Sequence, residues 1–411
     1  MASATMAHGT LIHLAIDGGE PLRRTPFAPW PYFSYDAIAA ATRVLESGRV
    51  NYWTGKEGRQ FEEEFAAFTG CKHAVAVANG TVALELALWV LGIGPGDEVV
   101  IPSRTFIASA SCVLMRGAIP VVTDVDRDSQ TVTANTIRAV LSSRTRAIIA
   151  VHLAGWPCDM DPILELAREH KLKVVEDCAQ AHGAVYKGRP VGSMGDVNAF
   201  SFCQDKIMST GGEGGMLTTN DAELWNRAWS FKDHGKSHDA AYNRRHPAGY
   251  RWLHEGVGTN WRLTEMQSAI GRALLRKLPQ FVEKRECLAG LLSERLCTMA
   301  ALRVARPPDH LTHSFYKYYV FLRPAQLKDA WNRQRIVDAV KAEGVPCFVG
   351  SCSEIYLERM FPAELRPSRR FPVAKELGET ALMFLVHPTL NERDMEDTAA
   401  ALEKVLGHAA K

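Results

Sequence analysis

Lys206 stands between an apolar, strand-like run (197–202) and a glycine-rich segment (211–215), and a second apolar strand (216–219) follows at once. A lysine held between two strands and a glycine turn is placed for burial in a cleft. Burial disfavours the charged ammonium, lowers its pKa and frees the amine to attack a carbonyl. A surface lysine on a hairpin loop shares that local pattern, so the polar residues at other strand ends must decide. Asn79-Gly80-Thr81 stands at a strand-to-helix junction. There a glycine lets a ligand approach the backbone and free N–H groups attract a phosphate, although a plain N-cap looks the same. Phe106, in Ser103-Arg104-Thr105-Phe106, can stack on a flat ring or fill core. Asp177 closes a strongly apolar strand and can pair with a cationic nitrogen or cap a helix. Gln180, just beyond it, can donate to a nearby oxygen. Ser201 offers its hydroxyl to a phosphate or to the backbone. Asn260-Trp261-Arg262 is expected to begin a helix, with Asn260 as cap and Arg262 as a surface charge. Together these residues ask for a phosphate, a flat ring, a cationic ring nitrogen and an aldehyde for the lysine. That set describes pyridoxal 5′-phosphate.

The elements that must position them alternate in type. Strands are expected at 74–78, 98–102, 120–124, 147–152 and 173–176, with helices at 81–91, 107–115, 134–141 and 161–170 between them. The strands are short, Val/Ile-rich and apolar on both faces, which is the pattern of a largely parallel sheet covered by helices. Ligands of open α/β sheets sit beyond the carboxyl ends of the strands, where the polar residues above are found. Ahead of this region, prolines 26, 29 and 31 exclude a regular helix, 35–47 reads as a helix stopped by Gly48, and 60–68 as a short amphipathic one. After it come helices at 221–234, 260–278 and 281–296, separated by a polar, aromatic-rich loop at 236–254. Pro307-Pro308 marks a boundary. A strand at 318–322, helices at 332–343, 373–380 and 392–406, and a strand at 382–386 then make a small α+β unit, with a loop at 350–367.

Composition narrows the function classes. The 411 residues suffice for two domains, and 46% hydrophobic with 23% charged residues is ordinary for a soluble enzyme. A net charge of +2 gives no field that favours nucleic acid or an anionic membrane. The nine cysteines lack paired metal-ligand spacing, so no metal is expected. Their scatter suits reduced thiols and a cytoplasmic location. The first residues carry no cationic head or long apolar core of a signal peptide, and no run is long enough to span a bilayer.

The chain resembles the sugar aminotransferases of the DegT/DnrJ/EryC1/StrS group, a fold-type I pyridoxal-phosphate family, from about residue 18 to about 406. The resemblance rests on NGTVALELAL (79–88), GDEVVIPSRTFIASA (96–110), VVEDCAQAHGA (174–184), FSFCQDKIMSTGGEGGMLTTND (200–221) and GTNWRLTEMQSAIG (258–271). It implies an N-terminal arm (1–25), a large cofactor-binding domain (26–280) with a mostly parallel seven-stranded sheet, and a small α+β domain (281–411) joined by a long helix starting near 281. It further implies that Lys206 forms the Schiff base, Asp177 meets the pyridine nitrogen, and Gln180 lies near the phenolic oxygen. Phe106 matches the aromatic over the ring, and Gly80, Thr81 and Ser201 match phosphate ligands. Asn260 matches a residue delivered to the phosphate by a second subunit, which implies a homodimer with a shared site. The implied reaction moves an amino group from L-glutamate or L-glutamine to a keto-sugar, nucleotide-linked, or to a cyclitol ketone. A dehydratase of the same family replaces the lysine with histidine, and a non-catalytic relative would not require Lys206, Asp177 and Gln180 together. The run Ser201-Phe202-Cys203-Gln204-Asp205-Lys206 departs from the SFHPTK-like pattern of many members, and Ile207 replaces their asparagine. Loops 236–254 and 350–367, with His234, Arg251, His313, Tyr316 and Glu354, are candidates for the acceptor wall.

Overall fold

Seven short strands whose residues are apolar on both faces have nowhere to go but the middle of a layered structure. In the computed structural model, which describes residues 13–411, they form one sheet. We label them β1 (His73–Val77), β2 (Glu98–Pro102), β3 (Ile119–Thr123), β4 (Thr145–Val151), β5 (Lys173–Asp177), β6 (Val197–Ser201) and β7 (Gly215–Thr219). Their order is β1-β7-β6-β5-β4-β2-β3. Strand β7 runs antiparallel to both β1 and β6, and the remaining pairings are parallel. Six strands therefore end at the same edge. β2, β6 and β7 are buried along their whole length.

Helices cover both faces. Gly80–Val90 packs across β6 and β7 with six buried positions, and its N-terminus is closed by Asn79 Oδ1, which accepts from Val82 N at 3.0 Å. A second core gathers around the antiparallel sheet Leu302–Arg303, Tyr318–Leu322 and Ala381–Phe384, with helices Arg333–Ala342 and Glu392–Ala409. The long helix Leu278–Leu296 joins the two regions: Leu278 and Val282 pack near the large sheet, while Leu288, Leu292 and Leu296 enter the second core. Leu14 is buried in that second core as well, and the fully buried Glu343 carboxylate accepts from Ala15 N, Leu22 N and Lys404 Nζ. Of the N-terminal arm expected at 1–25, residues 1–12 lie outside the described residues. No helix of the described residues is long and apolar enough to cross a membrane.

Two expectations are corrected. Asn260-Trp261-Arg262 does not begin a helix. It is extended, with Trp261 N donating to Lys232 O, Ala78 N donating to Trp261 O, and bridges joining Asp233 to Asn260 and Val77 to Arg262. The helix starts at Glu265 behind a Thr264 cap with Gln267 in a capping box. Arg262 is not a free surface charge either, because it pairs with the buried Asp233 at 2.6 Å. Inside the expected loop 236–254, a single helical turn and a half, His238–Tyr242, is capped by Ser237.

Candidate active site

The shared edge of the six parallel strands opens into a cleft of about 850 Å³. The ends of β1, β2, β5 and β6 each place polar or aromatic groups there. Beyond β1, the turn Asn79-Gly80-Thr81 enters its helix, and Thr81 is exposed to the cleft. The N–H groups of Gly80 and Thr81 have no acceptor among the described residues. A Cβ at Gly80 would lie 2.5 Å from Ser201 Cβ and 2.9 Å from its Oγ, so only glycine lets the helix end and the β6 hydroxyl come together. Beyond β2, Phe106 forms an exposed wall, whereas Arg104 turns away and is buried behind Tyr319, its guanidinium carbon 5.4 Å from that ring. Asp177 is the last residue of β5. Its Oδ1 accepts from Ala179 N at 3.1 Å, and no helix follows for it to cap. Gln180 Oε1 accepts from Ala154 N at 2.8 Å, which turns its amide nitrogen toward the cleft as a donor.

Lys206 lies in the irregular excursion between β6 and β7. Its backbone is pinned on both sides: Lys206 N donates to Cys203 O at 3.1 Å, and Trp30 Nε1 donates to Lys206 O at 2.9 Å. Gly211 and Gly212, at φ +94° and +125°, adopt the left-handed conformations that turn the chain back. The Lys206 side chain is 16% exposed, 3.9 Å from Asp205 and 5.0 Å from the centre of the Tyr316 ring. Burial pushes the Asp177 carboxyl above its ordinary range, against the lowering effects of Ala179 N–H and the Lys206 charge. The cleft floor is thus a desolvated carboxylate short of positive partners, facing an amine.

Seven of the eight expected site residues (Gly80, Thr81, Phe106, Asp177, Gln180, Ser201 and Lys206) line this cleft. Asn260 does not. It is exposed, on a stretch that also presents Tyr250, Trp252 and Val257 at 71%, 82% and 86% exposure. Of the five residues suggested for the acceptor, only Tyr316 lines the cleft. Glu354 is taken by Arg370 and Tyr356, and His313 is buried against Phe315 with Nδ1 accepting from Phe315 N. Sequence reasoning missed a buried brace: Glu176 accepts from His152 Nε2 (2.9 Å), Gly192 N (3.0 Å), Met194 N (2.6 Å) and Gly195 N (2.8 Å). Burial acts to raise Glu176, yet those donors hold its carboxyl below the ordinary value. His152 Nδ1 accepts from Cys158 N at 2.9 Å, so both ring nitrogens are engaged. His152, Glu176 and Cys178 cluster closely enough for a metal, but the first two are already satisfied by the protein and serve instead to fix the end of β5. Lys317 and Tyr319 were missed too; the cue was the Tyr-Lys-Tyr-Tyr run, a lysine among aromatics, entering a largely buried strand.

Residues 32–403 match the DegT/DnrJ/EryC1/StrS aminotransferase family. The chain belongs to that family. It is 40% identical to a GDP-perosamine synthase of Caulobacter vibrioides over 359 residues, covering 86% of this chain and 92% of that one. It is 35% identical to an L-glutamine:2-deoxy-scyllo-inosose aminotransferase of Streptoalloteichus tenebrarius, covering 97% and 98% of the two chains. The solved aminotransferase of Psychrobacter cryohalolentis superposes with a TM-score of 0.92 at 52% identity, covering 93% and 99%. The protein is therefore an aminotransferase, in a family whose members depend on pyridoxal phosphate.

Proposed function

We propose that this aminotransferase binds pyridoxal 5′-phosphate in the cleft and transfers an amino group from L-glutamate or L-glutamine to a nucleotide-linked keto-sugar, in amino sugar biosynthesis. The convergence of Lys206, Asp177, Gln180, Ser201 and the Gly80-Thr81 helix end on one cleft carries this reading. The residues fit the group. The close Gly80–Ser201 approach and the two unpaired N–H groups suit a phosphate at a helix N-terminus. The underpaired Asp177 suits a protonated ring nitrogen. The volume is of the size expected for ligand pockets and leaves room for a second substrate.

When bound, the cofactor supplies an aldehyde for the amine and a ring that absorbs the electrons of a broken Cα–H bond. Lys206 Nζ would hold it covalently and would also be the base for the proton on the donor's α-carbon. Asp177 keeps a proton on the ring nitrogen. Gln180 donates to the ring's oxygen, and Phe106 walls one side of the ring. Gly80, Thr81 and Ser201 hold the phosphate. Asn260, outside the lining of its own cleft and on a stretch that carries exposed aromatics, serves the phosphate site of a second copy in a homodimer. The cytoplasm is where such a protein keeps its nine cysteines as free thiols.

Gly80→Ala tests the phosphate cradle. The added Cβ is expected to weaken cofactor affinity about tenfold or more, by the cost typical of overpacking. Absorbance titration of the apoprotein measures it, with Gly94→Ala, where a Cβ meets nothing within 4 Å, as the unaffected control. For the acceptor, the aminated form of the holoprotein is mixed with nucleotide keto-sugars and with keto-inositols. Return of the pyridoxal absorbance is expected with a nucleotide keto-sugar. Return with keto-inositols alone would reassign the acceptor to the cyclitol class, as the name of the Streptoalloteichus relative would suggest. Silence with both classes would refute the acceptor assignment.

A further inference from the structure

Along the strand Tyr318–Leu322, Tyr318, Val320 and Leu322 point into the second core, while on the other face Tyr319 lines the cleft and Phe321 is buried against Leu377 and Ala381. The residue just ahead of the strand, Lys317, lines the cleft with Tyr319. Its ammonium has no hydrogen-bond or ion-pair partner among the described residues. The carboxylate whose charge acts on it, Asp205, is already engaged by the Tyr316 hydroxyl and lies 3.9 Å from Lys206. Lys317 Nζ sits 4.8 Å from the centre of the Tyr316 ring, and Lys206 Nζ sits 5.0 Å from the same centre. The two ammonium groups therefore share one aromatic ring. The fully buried Arg285, which donates to the carbonyls of Phe315 and Tyr316, adds positive charge behind them. Burial pushes the Lys317 ammonium down to about 8, with Asp205 opposing and Arg285 and Lys206 assisting. A half-buried cation with excess positive charge around it and no counterion is a site that an anion relieves.

Resting on the aminotransferase reading, we propose that Lys317 binds the α-carboxylate of the amino donor. The donor's nitrogen takes the place of Lys206 Nζ, and its carboxylate, on the neighbouring carbon, lies toward the second cation that shares the Tyr316 ring. The phosphates of a nucleotide-linked acceptor are set back from the reacting carbon by the sugar ring and meet the cleft farther out. L-Glutamate and L-glutamine carry the same α-carboxylate, so one lysine serves either donor. Lys206 makes the bond to the cofactor, and Lys317 is a binding residue for the donor.

The holoprotein, its Lys317→Gln variant and its Lys317→Arg variant are compared in each half-reaction, followed by cofactor absorbance, and in calorimetric binding of 2-oxoglutarate to the pyridoxal form. Loss of a charge-assisted hydrogen bond is expected to raise the half-saturating concentration of L-glutamate or L-glutamine about tenfold or more in Lys317→Gln. Binding of 2-oxoglutarate should weaken in parallel, and Lys317→Arg should recover most of both. Wild type should prefer L-glutamate to its α-amide, and Lys317→Gln should lose that preference. The half-saturating concentration of the keto acceptor should stay within about twofold. Unchanged donor affinity and unchanged discrimination in Lys317→Gln would overturn the assignment. So would a loss confined to the acceptor half-reaction, which would move Lys317 to the acceptor's phosphates. A wild-type holoprotein that accepts no amino group from any donor would instead overturn the wider reading of the site.

Discussion

Lys206→Ala is expected to lower turnover by on the order of 10⁴-fold or more, because one substitution removes both the covalent anchor of the cofactor and the base at the donor's α-carbon; a positioned base alone contributes roughly 10²–10⁴. The protein should keep its fold. The side chain's contacts are an ion pair to the half-exposed Asp205 at 3.9 Å and the Tyr316 ring at 5.0 Å, and exposed pairs of that kind are worth about 1 kcal/mol or less. The backbone bonds that shape the turn, to Cys203 O and from Trp30, do not involve the side chain. Loss of activity with an unchanged melting temperature would separate chemistry from structure. Borohydride treatment of the holoprotein followed by peptide mass mapping gives a second readout. The pyridoxyl label should fall on the peptide that contains Lys206 and be absent from that peptide in the variant. A variant that turns over within about tenfold of wild type, or a label on another lysine, would falsify the assignment of Lys206.

How far this site could be read beforehand differs from residue to residue. The strands of the sheet were legible because burial on both faces leaves a continuous apolar signature, and β2 (Glu98–Pro102) matches residue for residue. The residues at the strand ends were legible because that edge is the place where an open parallel sheet admits a ligand. Asn260 was misread for the opposite reason. Residues 260–262 stand just ahead of the helix Glu265–Leu275, but Val77, Ala78 and Lys232 offer them backbone partners along the edge of β1, and those tertiary bonds hold them extended. His238–Tyr242 is too short for any period to show. The His152–Glu176 brace joins the residue just past β4 to one on the neighbouring β5, and nothing in either local run announces the other. Lys317 was hidden differently. The alternation after it marks a strand, yet which face meets the cleft depends on how the second core packs against the large sheet.

Asp177→Asn is expected to act in opposite directions on catalysis and on the stability of the apoprotein. A preorganised charge aimed at a reacting group is worth about 10²–10³ in turnover when removed. A neutral amide at position 177 cannot keep a proton on the ring nitrogen by charge, so kcat should fall by about that factor while the cleft keeps its shape. Stability follows from the proton balance. Burial raises the folded-state pKa of Asp177 above the ordinary 3.8. Between the unfolded and folded values the folded apoprotein holds a proton that the unfolded chain has lost, so its stability falls as pH rises through that window. Below the window the protonated aspartate and the amide that replaces it should cost the same; above it, at neutral pH, only the aspartate carries the burden of a buried charge. Apo Asp177→Asn should therefore melt higher than apo wild type at neutral pH, and the gap should close on acidification below the ordinary aspartate range. With cofactor bound the order should reverse, because the ring nitrogen's positive charge compensates the carboxylate in wild type alone. Scanning calorimetry of the apo and holo forms across pH measures all three comparisons. An apo variant that melts below apo wild type at neutral pH would mean that Ala179 N–H and Lys206 already stabilise the ionised carboxylate fully, leaving no unmet charge for a pyridinium to satisfy.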